Sequence, residues 1–151
     1  MGFSSFYRLF QRNRPAINKD RRTNRRVMPA EGTTVLIVDD SKTVRRIMSS
    51  MLHQSGYQTL EAEDGARGIE LARNHKPNLI FMDVMMPGMD GFQATRKLQT
   101  DVDTQGIPVI IISGNRQATI QTWVRKIGAT GFMAKPFERG EFFRRLESAI
   151  Y

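Results

Sequence analysis

From Thr33 onward, short apolar runs rich in branched residues alternate with longer segments of helical spacing, and few folds accommodate that pattern. TTVLIVD (33–39), YQTLEA (57–62), NLIFMD (78–83), IPVIIIS (107–113) and ATGFMAK (129–135) read as strands. Between the first two, Val44, Ile47, Met48, Met51 and Leu52 share one helical face, with Met48 and Met51 expected in the core. Residues 64–75, 90–99, 117–128 and 138–150 fill the remaining gaps as helices, and Gly56, Pro77 and Gly128 stand where helices stop. Parallel strands need crossover connections, so strict alternation predicts an α/β protein: a five-stranded parallel sheet with helices on both faces.

A chain of 151 residues suits one domain of about 100 to 150 residues plus an appendage. The appendage is visible in the charge. Residues 1–31 carry eight Arg or Lys against two acids, whereas the rest holds fifteen against thirteen. The net charge of +8 therefore describes a nearly neutral domain with a basic arm, which weakens any argument from overall charge to nucleic-acid binding; no specific nucleic-acid partner is expected. In the arm, Phe3, Phe6, Tyr7 and Phe10 have helical spacing, and RNRPAINKDRRTNRRVMPAEG has no periodicity. Residues 1–31 are expected to be a largely disordered extension with a short amphipathic helix, and residues 32–151 to form the domain. Three roles stand open for the extension: peripheral membrane attachment, docking on a partner, or solubility alone. The sequence shows no secretory segment and no apolar run of the roughly 18 residues a membrane span needs, and its lack of cysteine excludes disulfides and zinc thiolates; a cytoplasmic protein is expected.

In an open parallel sheet, ligands sit outside the carboxyl ends of the strands. Strand one ends in Asp39 and Asp40, strand three in Asp83, strand four in Ser113 and strand five in Lys135. Singly, such residues are helix caps as readily as site residues: Asp40 or Ser41 for the first helix, Asp90 for the third, Ser113 for a turn. Jointly, three acids, a hydroxyl and a lysine at the same end of four strands predict one pocket. Crowded carboxylates repel unless a cation neutralises them, and an all-oxygen site suits Mg²⁺. Asp83 can then attack a phosphoryl group in line to form an acyl phosphate, with Lys135 facing the phosphate oxygens. Pro87 and Gly88 turn the chain so that the Met85 carbonyl can face the metal.

The set VDDSKTVRR, FMDVMMPGMDG, IIISG and FMAKPF resembles the receiver domain of two-component response regulators, the stand-alone chemotaxis type in particular, over about residues 33–150. The resemblance implies a flavodoxin-like strand order 2-1-3-4-5 and a cis bond between Lys135 and Pro136. It also implies Asp39 and Asp40 as the acidic pair, Asp83 as phosphoacceptor, Met85 as a carbonyl ligand, Ser113 as switch hydroxyl, Phe132 as switch aromatic and Lys135 as phosphate contact. The implied partners are a histidine kinase and an output protein such as a motor or adaptor, read through the surface of helix four, strand five and helix five. GFQATRKL, IPVIIISG and TWVRKIGATGFMAKPF are similar to stand-alone regulators of type IV pilus or twitching motility. The family's chemistry is phosphoacceptance with intrinsic autodephosphorylation, not enzymatic turnover.

Three other functions compete. A haloacid-dehalogenase-type phosphatase wants a second acid two residues after its aspartate, where Met85 stands; a dinucleotide binder wants a glycine-rich turn, and DDSKTVR has none. A phosphate-independent scaffold has no need of intact acids. With no output domain in the sequence, action by contact or as a phosphate sink is expected. Met85 and Asn115 occupy positions that in the family influence water attack on the acyl phosphate, and Phe132 must switch by packing alone. Trp123 reads as core or groove packing, Met85 and Met86 as the pocket edge, and Arg125, Lys126, Arg139, Arg144 and Arg145 as a basic output face or a solvated surface. His53 and His75 lack motif partners, so no catalytic histidine is expected.

Overall fold

The computed structural model describes residues 28–114 and 118–151. Five strands, β1 (Thr34–Val38), β2 (Gln58–Ala62), β3 (Leu79–Asp83), β4 (Val109–Ser113) and β5 (Gly131–Ala134), alternate with five helices, α1 (Lys42–Gln54), α2 (Gly65–His75), α3 (Gly91–Thr100), α4 (Ala118–Lys126) and α5 (Arg139–Ile150). All pairings are parallel, in the order β2-β1-β3-β4-β5. The expected class and order hold, and each strand lies inside its predicted run. The extension expected at residues 1–31 falls outside the described residues as far as 27, and so does Asn115.

Strand side chains alternate between two cores, as the pleat requires. Val35, Ile37, Leu79, Phe81, Ile110, Ile112 and Met133 meet Val44, Met48, Met51 and Leu52 of α1 and Phe142, Phe143 and Leu146 of α5. Leu36, Val38, Ile80, Met82, Val109 and Ile111 face Ile69, Leu71 and Ala72 of α2, Ala94 and Leu98 of α3, and Val124 of α4. On the first face, the Phe142 ring stacks on Phe81 at 4.7 Å and on Phe137 at 5.5 Å, which locks α5 against the sheet centre.

Helix ends follow local chemistry. The Ser41 hydroxyl accepts the Val44 N–H, Asp64 caps α2, and Asp90 forms a capping box with Gln93 at the start of α3. For Asp90 the capping role is therefore the correct one. Gly56 and Gly128 end their helices at positive φ, as expected, but α2 ends on Lys76, at φ 47°. Pro77 disfavours the right-handed helical region for the residue before it, and the Lys76 ammonium is held by the Asp103 carbonyl at 2.7 Å. The Lys135–Pro136 bond is cis, as the resemblance implied.

Two surface expectations need correction. Met86 is buried among the α2 and α3 side chains, while Met85 is 75% exposed, so only Met85 stands outside the core. Trp123 is 55% exposed, with the Lys126 ammonium 5.7 Å from its ring centroid. Ile120, Val124 and Ile127 take the inward line of that segment, and position 123 falls beside it.

Candidate functional site

β1 and β3 lie side by side and β5 is separated from β3 by β4 alone, so the long Lys135 side chain reaches acids that stand 52 to 96 positions away in sequence. Carboxylate oxygens of Asp39, Asp40 and Asp83 all lie within 4.8 Å of one another. Asp39 and Asp83 are buried and Asp40 is exposed, which gives the cluster one open side. The Lys135 ammonium donates to Asp39 Oδ2 at 2.8 Å and to Asp83 Oδ1 at 3.3 Å. Asp39 is oriented further by the Ser41 N–H, which reaches its Oδ1 at 2.9 Å.

Electrostatics follow from this crowding. Burial pushes the Asp83 carboxyl up to about 6, the Asp39 charge adds to that, and Lys135 opposes it. Burial acts to lower the Lys135 pKa, but attraction to Asp39 and then Asp83 outweighs it and holds the ammonium above its usual range. At neutral pH the cluster is thus three acids sharing one ammonium. That imbalance, the all-oxygen donors and their mutual spacing fit a small hard dication such as Mg²⁺.

Ser113 is buried at the end of β4, and its carbonyl accepts the Lys135 N–H at 2.8 Å, tying the lysine's backbone to the strand end. The β3–β4 register sets Asp83 opposite Ile112, one residue before Ser113. Phe132 is half-buried and packs on the core shared with α2, α3 and α4. The structure therefore brings Asp39, Asp40, Asp83 and Lys135 together, with Ser113 at the adjoining strand end. Neither histidine joins them; His53 Nε2 lies 2.8 Å from the Thr59 hydroxyl.

Two site residues escaped the sequence reading. Gly91 starts α3, and a Cβ there would meet the Asp83 carbonyl oxygen at 2.1 Å and its carbon at 2.8 Å. Its N–H donates to the Val84 carbonyl at 3.0 Å, so α3 is seated directly on the backbone that follows Asp83. The DG pair was legible as a helix start, but the close approach belongs to the tertiary structure. Arg45 is the other: its guanidinium donates to the Asp39 carbonyl at 2.7 Å and reaches Glu61 at 3.4 Å.

The sequence profile of the response regulator receiver domain matches residues 35–147. The chain belongs to this family. It is 40% identical over 116 residues to Protein PilH of Pseudomonas aeruginosa, covering 77% of this chain and 96% of PilH. Among solved structures, the Vibrio cholerae chemotaxis protein CheY4 superposes with a TM-score of 0.74 at 28% identity, over 80% of this chain and 99% of CheY4. The receiver domain of the sensor histidine kinase PA1611 from Pseudomonas aeruginosa, solved with magnesium in its active-site cleft, gives 0.73 at 28% identity, over 79% and 98%. The receiver's motifs coincide here with the geometry of the site: the paired acids, the aspartate ending β3, and the lysine before a cis proline.

Proposed function

We propose that this receiver is a phosphorylation-controlled switch whose phosphoacceptor is Asp83, and that it takes its phosphoryl group from a histidine kinase. The observation that carries this is the Lys135 ammonium held between Asp39 and Asp83 inside a three-acid cluster. Asp39, Asp40 and Asp83, with the Met85 carbonyl, would hold Mg²⁺, which when bound neutralises charge on the transferred oxygens. With a pKa of about 6, Asp83 is mostly ionised at neutral pH and is a competent nucleophile. Its oxygen forms a bond to phosphorus as the phosphorus–nitrogen bond to the kinase imidazole breaks; the electron pair leaves with that nitrogen, which then takes a proton. Lys135 shifts from the acids to the new phosphoryl oxygens, a move its flexible stem allows. The Ser113 hydroxyl follows toward the phosphate and Phe132 turns inward, shifting an equilibrium of the surface made by α4, β5 and α5.

On that surface Arg125, Lys126, Arg144 and Arg145 are exposed, a basic rim suited to an acidic output protein. Arg139 does not belong to it, since its guanidinium lies 5.0 Å from the Phe143 ring and reaches the Ser55 hydroxyl. The identity to PilH and the likeness to a chemotaxis protein support a place in pilus or chemotaxis-type signalling. No helix among the described residues is long and apolar enough to cross a membrane. Acetyl phosphate with Mg²⁺, read by intact mass, tests the proposal: one phosphoryl group is expected on the wild type and none on Asp83→Asn. A wild type that never labels, even with a cognate kinase, would leave the phosphate-independent scaffold as the better reading.

A further inference from the structure

The first turns of α1 contain no acid, yet they carry Lys42, Arg45 and Arg46. Cations at a helix N-terminus oppose the helix dipole, so helix stability alone does not account for Arg45. Its side chain is 13% exposed and turned back onto the β1 end. There its Nη1 donates to the Asp39 main-chain oxygen at 2.7 Å, and its Nε faces Glu61 of β2 at 3.4 Å. The Asp39 N–H meanwhile donates to Ala62, one residue beyond Glu61. Asp39 is thus tied to β2 through both of its backbone groups, directly by its N–H and by way of Arg45 from its carbonyl.

From this geometry we infer that Arg45, braced by Glu61, is a positioning residue for the metal site. It holds the β1–α1 turn so that the Asp39 and Asp40 carboxylates converge with Asp83. The planar fork matters, because one guanidinium serves the carbonyl and the carboxylate at once, whereas an ammonium is a single point charge. Groups that orient metal ligands without touching the metal typically change affinity by about 10- to 100-fold when removed. Glu61 is 40% exposed and supports Arg45 from the solvent side, so its own removal has a smaller effect.

The inference rests on the reading of the acidic cluster as a Mg²⁺ site, and two measurements separate the two. Calorimetric titration with Mg²⁺, without any phosphoryl donor, compares wild type, Arg45→Met, Arg45→Lys and Glu61→Gln. Arg45→Met is expected to weaken binding about tenfold or more, Arg45→Lys to fall between it and the wild type, and Glu61→Gln to stay within about twofold. In the metal-free protein, exchange of the Ser41 amide reports the bond to Asp39 Oδ1, and Arg45→Met is expected to accelerate it. Unchanged affinity together with unchanged Ser41 exchange, even with a lowered Tm, would reduce Arg45 to a tie between helix and strand. A wild type that binds no Mg²⁺, with Ser41 exchange still faster in Arg45→Met, would remove the metal reading while keeping the positioning role. Should Arg45→Met fail to fold, Arg45→Lys carries the same comparison.

Discussion

Replacing Asp83 with asparagine should make the metal-free protein more stable while abolishing its function. In the folded chain the Asp83 carboxyl sits at about 6 against an ordinary value of 3.8, because burial and then Asp39 penalise its charge. The native state therefore keeps this proton to higher pH than the unfolded chain does, and stability falls as pH rises from the unfolded value through about 6. At about 1.4 kcal/mol for each tenfold change in proton affinity, the gap corresponds to a penalty of about 3 kcal/mol at pH 7 and under about 1 kcal/mol at pH 4. Asparagine is nearly isosteric and uncharged, and Lys135 keeps its 2.8 Å partner Asp39. For a domain of this size, about 3 kcal/mol raises Tm by roughly 10 °C. Thermal unfolding with a chelator at pH 7 and pH 4 reads the effect: a large gain at pH 7 that mostly vanishes at pH 4. A variant no more stable than wild type at pH 7, or stabilised equally at both, would refute the claim that Asp83 bears a charge its surroundings disfavour.

Protons and Mg²⁺ should compete for the same carboxylate. Below the Asp83 pKa of about 6 the site must lose a proton to bind, so Mg²⁺ affinity measured by calorimetry should weaken roughly tenfold between pH 7.5 and pH 5. Gly91→Ala drives a methyl group into the Asp83 carbonyl, a backbone contact that cannot swing aside. It should cost about 3 kcal/mol in chemical denaturation and slow acetyl phosphate labelling, because relief requires moving α3 or Asp83 itself. Met85→Asn places a hydrogen-bonding group where an exposed thioether cannot orient water, so acyl phosphate loss should be faster than in the wild type; equal or slower loss in a chase by intact mass counts against that role.

How much of the molecule was legible depended on the range of the interaction. The continuous apolar runs of β1, β3 and β4 are a local property, and their five-residue spans fall inside the runs read from the sequence. Capping is also local: Ser41 and Asp90 act within three residues of themselves. Exposure was less legible, because it depends on how a helix is rotated against its neighbours. Trp123 was misplaced for that reason, since α4 turns Val124 inward, and Met86 was misplaced because its loop folds back onto the second core.

By itself, the sequence determined the class of fold, the order of elements along the chain and the acids, hydroxyl and lysine that end four strands, because strand and helix periods and end residues are written in neighbouring positions. The strand order entered through resemblance and was then observed. Only the tertiary structure decided that Lys135 lies between Asp39 and Asp83, that Asp83 is held near 6, and that Arg45 and Gly91 grip the backbone of the acids. Those facts arise from contacts across long stretches of chain and from burial, and such contacts exist only once the sheet has brought the strand ends together.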